Sequence, residues 1–374
     1  MAGIYFHIPF CCRACTYCNF FFSVSLKQKS NLIEALIKEI ELRKNYLEGE
    51  FITSIYFGGG TPSLMDASVI SRILDAVENN FTVVKDAEIT LEANPDDLTG
   101  SKLHDFAEAF VNRLSIGVQS FSDADLKFMN RTHTAAHAVR SVKAAQDVGF
   151  SNISIDLIYG TPTMSMEQWK KNLDIAFTLD VPHLSCYCLT VEEKTKLFQL
   201  VRDKKIPDVD EQTSSEQFGL LMDMAAQNGY EHYEISNFSR DEMYSRHNTS
   251  YWKGEKYLGI GPSAHSFDGD SRQWNVSNLS GYISAIEKGI VPSEKEILSP
   301  SQKFNEYVMT GLRTKGGCDV EVIKNQFGEK LAEHFLTQTK NKIEKGMIEK
   351  RGTIFVLTRE GKFFADRIAA EMFV

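Results

Sequence analysis

The sequence predicts an α/β protein built on a parallel sheet, followed by a smaller and mainly helical C-terminal module. Three observations predict it. Strand-like and helix-like runs alternate six times before residue 190. The polar and glycine-rich motifs of this half fall at or just beyond the ends of the predicted strands. Beyond residue 190 the alternation stops.

The strand-like runs cover residues 3–10, 52–57, 87–93, 113–118, 152–159 and 183–189. In the first intervening helix Leu32, Ile33, Leu36, Ile37, Ile40 and Leu47 form one stripe, with Glu34, Lys38, Glu41 and Lys44 elsewhere. Further helices are expected over 68–80, 101–110, 135–148 and 165–179. Six such units with right-handed crossovers make either a curled partial barrel or an open doubly wound sheet. In both, ligands gather at the C-terminal ends of the strands.

The first of those ends carries Cys11, Cys15 and Cys18, at C-x3-C-x2-C spacing. Three thiolates hold three irons of a cubane cluster, which normally takes four, and leave one iron open to an outside ligand. A structural zinc half-site, completed by Cys12 or His7, is the alternative. The aromatic surroundings, Phe6, Phe10, Tyr17, Phe20, Phe21 and Phe22, shield a redox cluster from water and favour iron–sulfur. Cys12, next to a ligand, reads as a spare, oxidation-prone thiol.

The second end carries Gly58-Gly59-Gly60-Thr61-Pro62. This run is too short for a phosphate-binding P-loop and lacks its lysine. Alone it is a tight turn. One strand away from a cluster, it is a backbone edge that a ligand on the open iron approaches without side-chain clash. Glu92 and Gln119 end the next two strands, and Asp156 lies on the fifth. Glu92 and Asp156 suit ribose hydroxyls and Arg131 suits a carboxylate; ordinary strand-end ion pairs are the plainer reading. Cys186 and Cys188 alternate on strand six and read as buried structural thiols sharing one face.

After residue 190 a helix bearing Phe218, Leu221, Met222 and Ala225 leads into a polar, aromatic stretch containing His247, Asn248, Tyr251 and Trp252. His247 is either an axial haem ligand or a hydrogen-bonded histidine beside a core tryptophan. His265 carries the same ambiguity. From about residue 300 the chain reads as winged-helix-like, with markers at 322–327, 331–336, 343–348, 353–357 and 361–370. The division is 1–230, a connecting segment 231–298, and 299–374.

Composition is that of a soluble globular chain: 374 residues, 43% hydrophobic, 24% charged and a net charge of −9. No basic footprint argues for nucleic acid. No run approaches the roughly 18 apolar residues of a membrane span, and no signal peptide is visible. Seven cysteines, three in one short window, suit a reducing compartment and metal ligation. The cytoplasm is the expected location.

The cysteine motif and Gly58–Pro62 resemble those of radical S-adenosylmethionine (SAM) enzymes. His7-Ile-Pro-Phe-Cys11, Ile116-Gly-Val-Gln-Ser-Phe121 and Asp156-Leu-Ile-Tyr-Gly160 are similar to the oxygen-independent coproporphyrinogen oxidase-like family. The resemblance implies a partial (β/α)6 barrel with a [4Fe–4S] cluster whose unique iron is chelated by SAM. It places Tyr5, Gly59 and Glu92 on that SAM. Gly60, Thr61, Gln119, Arg131 and Asp156 match positions that the oxidase uses for a second SAM, whose binding here is left open. Two departures point to the haem-chaperone branch of the family. Phe20 stands where the oxidase has a further cysteine, and only ten residues precede Cys11. The segment His247-Asn248-Thr249-Ser250-Tyr251-Trp252 matches that branch's H-N-x-x-Y-W haem-binding motif. The resemblance therefore implies haem binding and transfer to haemoproteins such as membrane-bound respiratory enzymes, from the cytoplasm or the periphery of the inner membrane, with a homodimer left open. The alternative is oxidative decarboxylation of coproporphyrinogen III to protoporphyrinogen IX.

Overall fold

The computed structural model describes residues 1–374. Six parallel strands carry the first half: β1 (Ala2–Ile8), β2 (Ile52–Gly59), β3 (Val83–Ala93), β4 (Arg113–Gln119), β5 (Ile153–Tyr159) and β6 (His183–Cys188). They lie side by side in chain order, without a reversal. Successive right-handed crossovers in one direction keep every helix on the same face, so the sheet curls into a partial barrel instead of a doubly wound layer. β1 stops at Ile8 because Pro9 has no amide for the ladder; beyond it only Phe10 bridges, to Ser23. β3 begins four residues before its expected start.

Residues 231–298 are not a connector. They supply β7 (Glu231–Glu234), β8 (Asn237–Ser239), β9 (Lys256–Ile260), β10 (His265–Phe267), β11 (Ser271–Asn275) and β12 (Ser293–Ile297) to the same sheet. β8 pairs antiparallel with β6, and β9 pairs parallel with β1. Each covers an edge that would otherwise expose unpaired backbone groups. The result is one sheet of twelve strands in the order β12-β11-β10-β9-β1-β2-β3-β4-β5-β6-β8-β7.

One continuous core packs the helices onto this sheet, with Trp169, Phe57, Phe106 and Leu36 fully buried. The C-terminal unit has its own core around Phe304, Phe335 and Phe355. The helix Glu329–Glu344 runs into the 343–348 marker, and the strand after it starts at Ile348. The last helix is broken into Arg359–Lys362 and Ala365–Ala370. Bidentate Arg272–Glu306 contacts at 2.7 and 2.9 Å tie this unit to the sheet, as does Arg313–Glu234 at 3.1 Å. No helix is long and apolar enough to cross a membrane.

Candidate functional site: the rim of the partial barrel

The loop after β1 is strapped down by backbone and side-chain bonds from distant segments. Cys11 N–H donates to Ser23 at 3.0 Å, Thr16 N–H to Met129 at 3.2 Å, and Asn130 Nδ2 to the Ala14 carbonyl at 2.7 Å. Cys11, Cys15 and Cys18 are half-buried free thiols, while Cys12 is exposed. Burial raises the Cys11 thiol and pushes Cys18 up to about 11. Both are therefore protonated when free, and metal ligation must release those protons. A cubane takes each thiolate on a different iron. Two donors face the sulfurs: Arg131 Nη1 lies 3.4 Å from Cys15 Sγ, and Thr61 Oγ1 lies 3.5 Å from Cys11 Sγ. Donors of this kind favour thiolate charge, so the residues present fit a cluster.

The glycine run adjoins this loop. Gly59 has φ +105°, and a Cβ there would lie 2.6 Å from the His7 ring. At Gly60 a Cβ would lie 2.7 Å from the Phe10 carbonyl oxygen. The Gly60 and Thr61 amides donate to Ile8 and Phe10 at 2.8 and 2.7 Å. Gly60 is thus required by close packing on the cysteine loop, and neither amide is free for a ligand. Gly59 N–H donates to Glu92 at 3.2 Å, and Tyr56 Oη donates to the other Glu92 oxygen at 2.8 Å. Burial still holds the Glu92 carboxyl up at about 6. Asp156 accepts from Ser115 Oγ at 3.2 Å; burial, then the Glu92 charge, raises it to about 7. Arg131 is aimed by Asn94 at 2.6 Å and by the Gly117 carbonyl at 2.8 Å. Gln119 closes β4 with φ +65°, at an irregularity in its register with β5. Tyr5 points into the barrel, its hydroxyl 3.2 Å from His7 Nδ1.

Beneath Glu92 and Asp156 lies a polar cavity of about 50 Å³, lined also by Arg113, Ser115, Ser154, His183 and Ser185. These residues were not expected at a site. Their signal was present as polar pairs with period two on β4, β5 and β6, which place successive polar side chains on one face. Arg113 is buried with its Nε unpartnered. Cys186 is buried as expected, but Cys188 is exposed because the strand ends there.

The segment Arg246–Trp252 is a short helix at the other end of the barrel. Ser245 caps it, and the amides of Arg246 and His247 both donate to the Glu88 carboxylate at 3.0 Å. His247 lies against Gly3, where a Cβ would approach its ring to 3.1 Å. That position is at the start of β1, roughly 15 Å along the strand from the cysteine loop by strand rise. The ring is fully buried and stacked on Tyr56 at 5.0 Å. Its Nδ1 meets Ser54 Oγ at 2.9 Å and its Nε2 meets Tyr251 Oη at 2.8 Å. Burial alone lowers its pKa to about 3. Both ring nitrogens are hydrogen-bonded, so ligation of iron through Nε2 would first require Tyr251 to release it. Asn248 lines the cavity, and Trp252 packs under the Arg313 guanidinium at 5.4 Å. His265, by contrast, is exposed.

The family model described as Radical SAM superfamily matches residues 5–176, and that described as HemN C-terminal domain matches residues 298–364. A Lactococcus lactis protein named heme chaperone HemW is 37% identical over 328 residues, covering 86% of this chain and 84% of that protein. The Bacillus subtilis protein of that name is 32% identical over 371 residues, 98% of each chain. Among solved structures, coproporphyrinogen III oxidase (HemN) of Escherichia coli matches all of this chain and 90% of its own, with TM-score 0.86 and 24% identity. That likeness shows the fold.

Proposed function

The chain belongs to the HemW family of radical SAM proteins, and from that premise we propose that it is a haem chaperone: it binds haem and passes it to haem-requiring respiratory proteins. The observation that carries this reading is identity along the whole chain to proteins named for that role, 32% over 98% of both chains for the Bacillus subtilis relative.

The radical SAM fold implies a [4Fe–4S] cluster and SAM. Cys11, Cys15 and Cys18 would hold three irons, leaving the fourth for the amino and carboxylate groups of SAM. When bound, the cluster supplies a low-potential electron to the SAM sulfonium. The surrounding residues have definable tasks. Arg131, aimed by Asn94, sets a positive charge against the Cys15 sulfur. Glu92, held by Tyr56 and the Gly59 amide, presents a carboxylate that is mostly ionised at pH 7 for ligand donors. Asp156, with its pKa near 7, holds or releases a proton above the cavity. The reading places the protein in the cytoplasm or at the periphery of the inner membrane, with membrane-bound respiratory recipients.

The test is an anaerobic haemin titration of reconstituted protein, followed by mixing with an apo-haemoprotein. A Soret shift, and its transfer to the acceptor, are expected; an unchanged haemin spectrum sinks the reading. The match of residues 298–364 to the HemN C-terminal domain supports one second reading, oxidative decarboxylation. Protoporphyrinogen formed from coproporphyrinogen III with SAM and a reductant would establish it.

A further inference from the structure

Side chains, not open space, join the two ends of the barrel. Ser54, Tyr56 and Gly58 alternate on β2 and share the face turned to the lumen; Glu88 and Glu92 share it on β3. Tyr56 belongs to both ends. Its hydroxyl donates to Glu92 at 2.8 Å, and its ring stacks on the His247 ring with the planes 27° apart. Tyr5, its register partner on β1, has its ring centroid 6.0 Å from that of Tyr56 and 6.4 Å from that of His247. Three rings thus form one column between the Glu92 carboxylate and the helix Arg246–Trp252.

This column has no slack. At Gly58 a Cβ would lie 2.9 Å from the Tyr56 ring and 3.0 Å from both Glu92 and the Tyr5 ring. At Gly3 it would lie 3.0 Å from Ser54 Oγ. Contacts this close pass a displacement on instead of absorbing it. The polar cavity beside the column touches Glu92 at one end and Ser245 and Asn248 at the other. At about 50 Å³ it holds waters and excludes a macrocycle. A ligand at the rim and a haem at the floor therefore do not meet, and Tyr56 is a side chain in contact with both Glu92 and His247.

Glu92 accepts from Tyr56 on one oxygen and from the Gly59 amide on the other. A rim ligand that brings donors of its own, as the ribose hydroxyls of SAM do, draws the carboxylate toward itself. The Tyr56 hydroxyl then either follows, which slides its ring off His247, or gives up its acceptor. Both loosen the enclosure of His247, whose ring is fully buried among Tyr56, Ser54 and Tyr251. A buried ring takes haem only in the fraction of molecules where it is uncovered, so the apparent affinity rises in proportion to that fraction.

We propose that Tyr56 couples the two ends: SAM at the rim uncovers His247 at the floor, so the SAM-bound chain takes up haem and the SAM-free chain gives it up. This rests on the haem-chaperone reading above, with the cargo taken at the helix Arg246–Trp252. The test uses full-length, cluster-reconstituted protein under anaerobic conditions without reductant, so that SAM stays intact. Ferric haemin is titrated with and without saturating SAM, and SAM with and without haemin. In wild type SAM should tighten haemin at least about fivefold, and haemin should tighten SAM by the same factor, because coupling is reciprocal. Tyr56→Phe keeps the ring and removes the hydroxyl, and both factors should fall to within about twofold of one. A second measurement needs no haem: amide hydrogen exchange over residues 246–252 should quicken with SAM in wild type and not in Tyr56→Phe. A residue that merely fills space would change absolute affinities and leave the dependence on SAM intact. Equal coupling factors in the two proteins, or a factor of one in wild type with both ligands bound, would overturn the inference and leave the chaperone reading standing. Haemin that fails to bind wild type would remove that reading and the uptake step; unchanged exchange on adding SAM would overturn the link itself.

Discussion

The rim and the floor of the barrel are built from similar residue types and behave in opposite ways. At the rim stand three half-buried thiols, a glycine-led loop and two carboxylates of raised pKa, and the carboxylates line a polar cavity. At the floor, His247 is enclosed by Ser54, Tyr56 and Tyr251, with both ring nitrogens engaged. What separates the two ends is whether lone pairs are left free, and that depends on neighbours brought in from other strands.

The largest expected contrast is in metal content. Replacing Cys15 by Ala should abolish the reconstituted cluster, taking iron from about four per chain to near zero. Stability should change little, because the thiol is only half-buried. Unfolding of the apo-variant would show that the rim is structural after all.

His247→Ala should do the reverse. It leaves a cavity and two unpaired hydroxyls, at a cost of about 3 kcal/mol in denaturant unfolding, while iron content per folded chain is unchanged. A cost under about 1 kcal/mol would break the description of the floor as tightly packed.

The smallest contrast is in pH dependence. His247, with a folded pKa of about 3, takes a proton only when unfolded. Its contribution is complete above the ordinary value near 6.5 and is lost as pH falls toward 3, by at most about 1.4 kcal/mol per unit. Glu92 and Asp156, raised to about 6 and 7, act in the opposite sense. They bind protons first in the folded state, so stability is lost as pH rises through those values. The two slopes therefore oppose each other on the acid side: His247→Gln should remove the loss of stability as pH falls from 6.5 toward 3, and Glu92→Gln the loss as pH rises from 4.5 to about 6. Unfolding free energies measured from about pH 3 to 7 check both.

Much of the rim was legible because its signals are local. The six strands before residue 190 show themselves by alternation with helices, and β1 to β6 follow in order. Cys11, Cys15, Cys18 and Gly58–Pro62 lie within short windows of chain. The segment 231–298 was not legible for a topological reason. β8 and β10 have three residues each, too few to show a period, and β9 finds its partner in β1, some 250 residues earlier. Nothing near residue 256 announces that pairing. Burial of His247 was hidden likewise: Arg-His-Asn-Thr-Ser-Tyr-Trp has no apolar stripe, and its enclosure comes from Ser54 on β2 and Glu88 on β3. Arg113 and His183 could have been found, since each sits in a strand with an inward polar residue two places on.

The place of β1 in the sheet also sets an order of assembly. It is the first strand synthesised, yet it lies between β2 and β9. Roughly 200 residues separate the end of β2 from β9, so at ribosomal speeds one edge of β1 stays open for roughly 10–40 s. The cysteine loop at the tip of that strand emerges early, while the corner bearing His265 emerges only as the open edge is being filled. An unpaired edge invites association with other chains, so this interval is the exposed stage of the protein's manufacture. Its topology presents the thiols to the cell before the strand that closes their sheet edge exists.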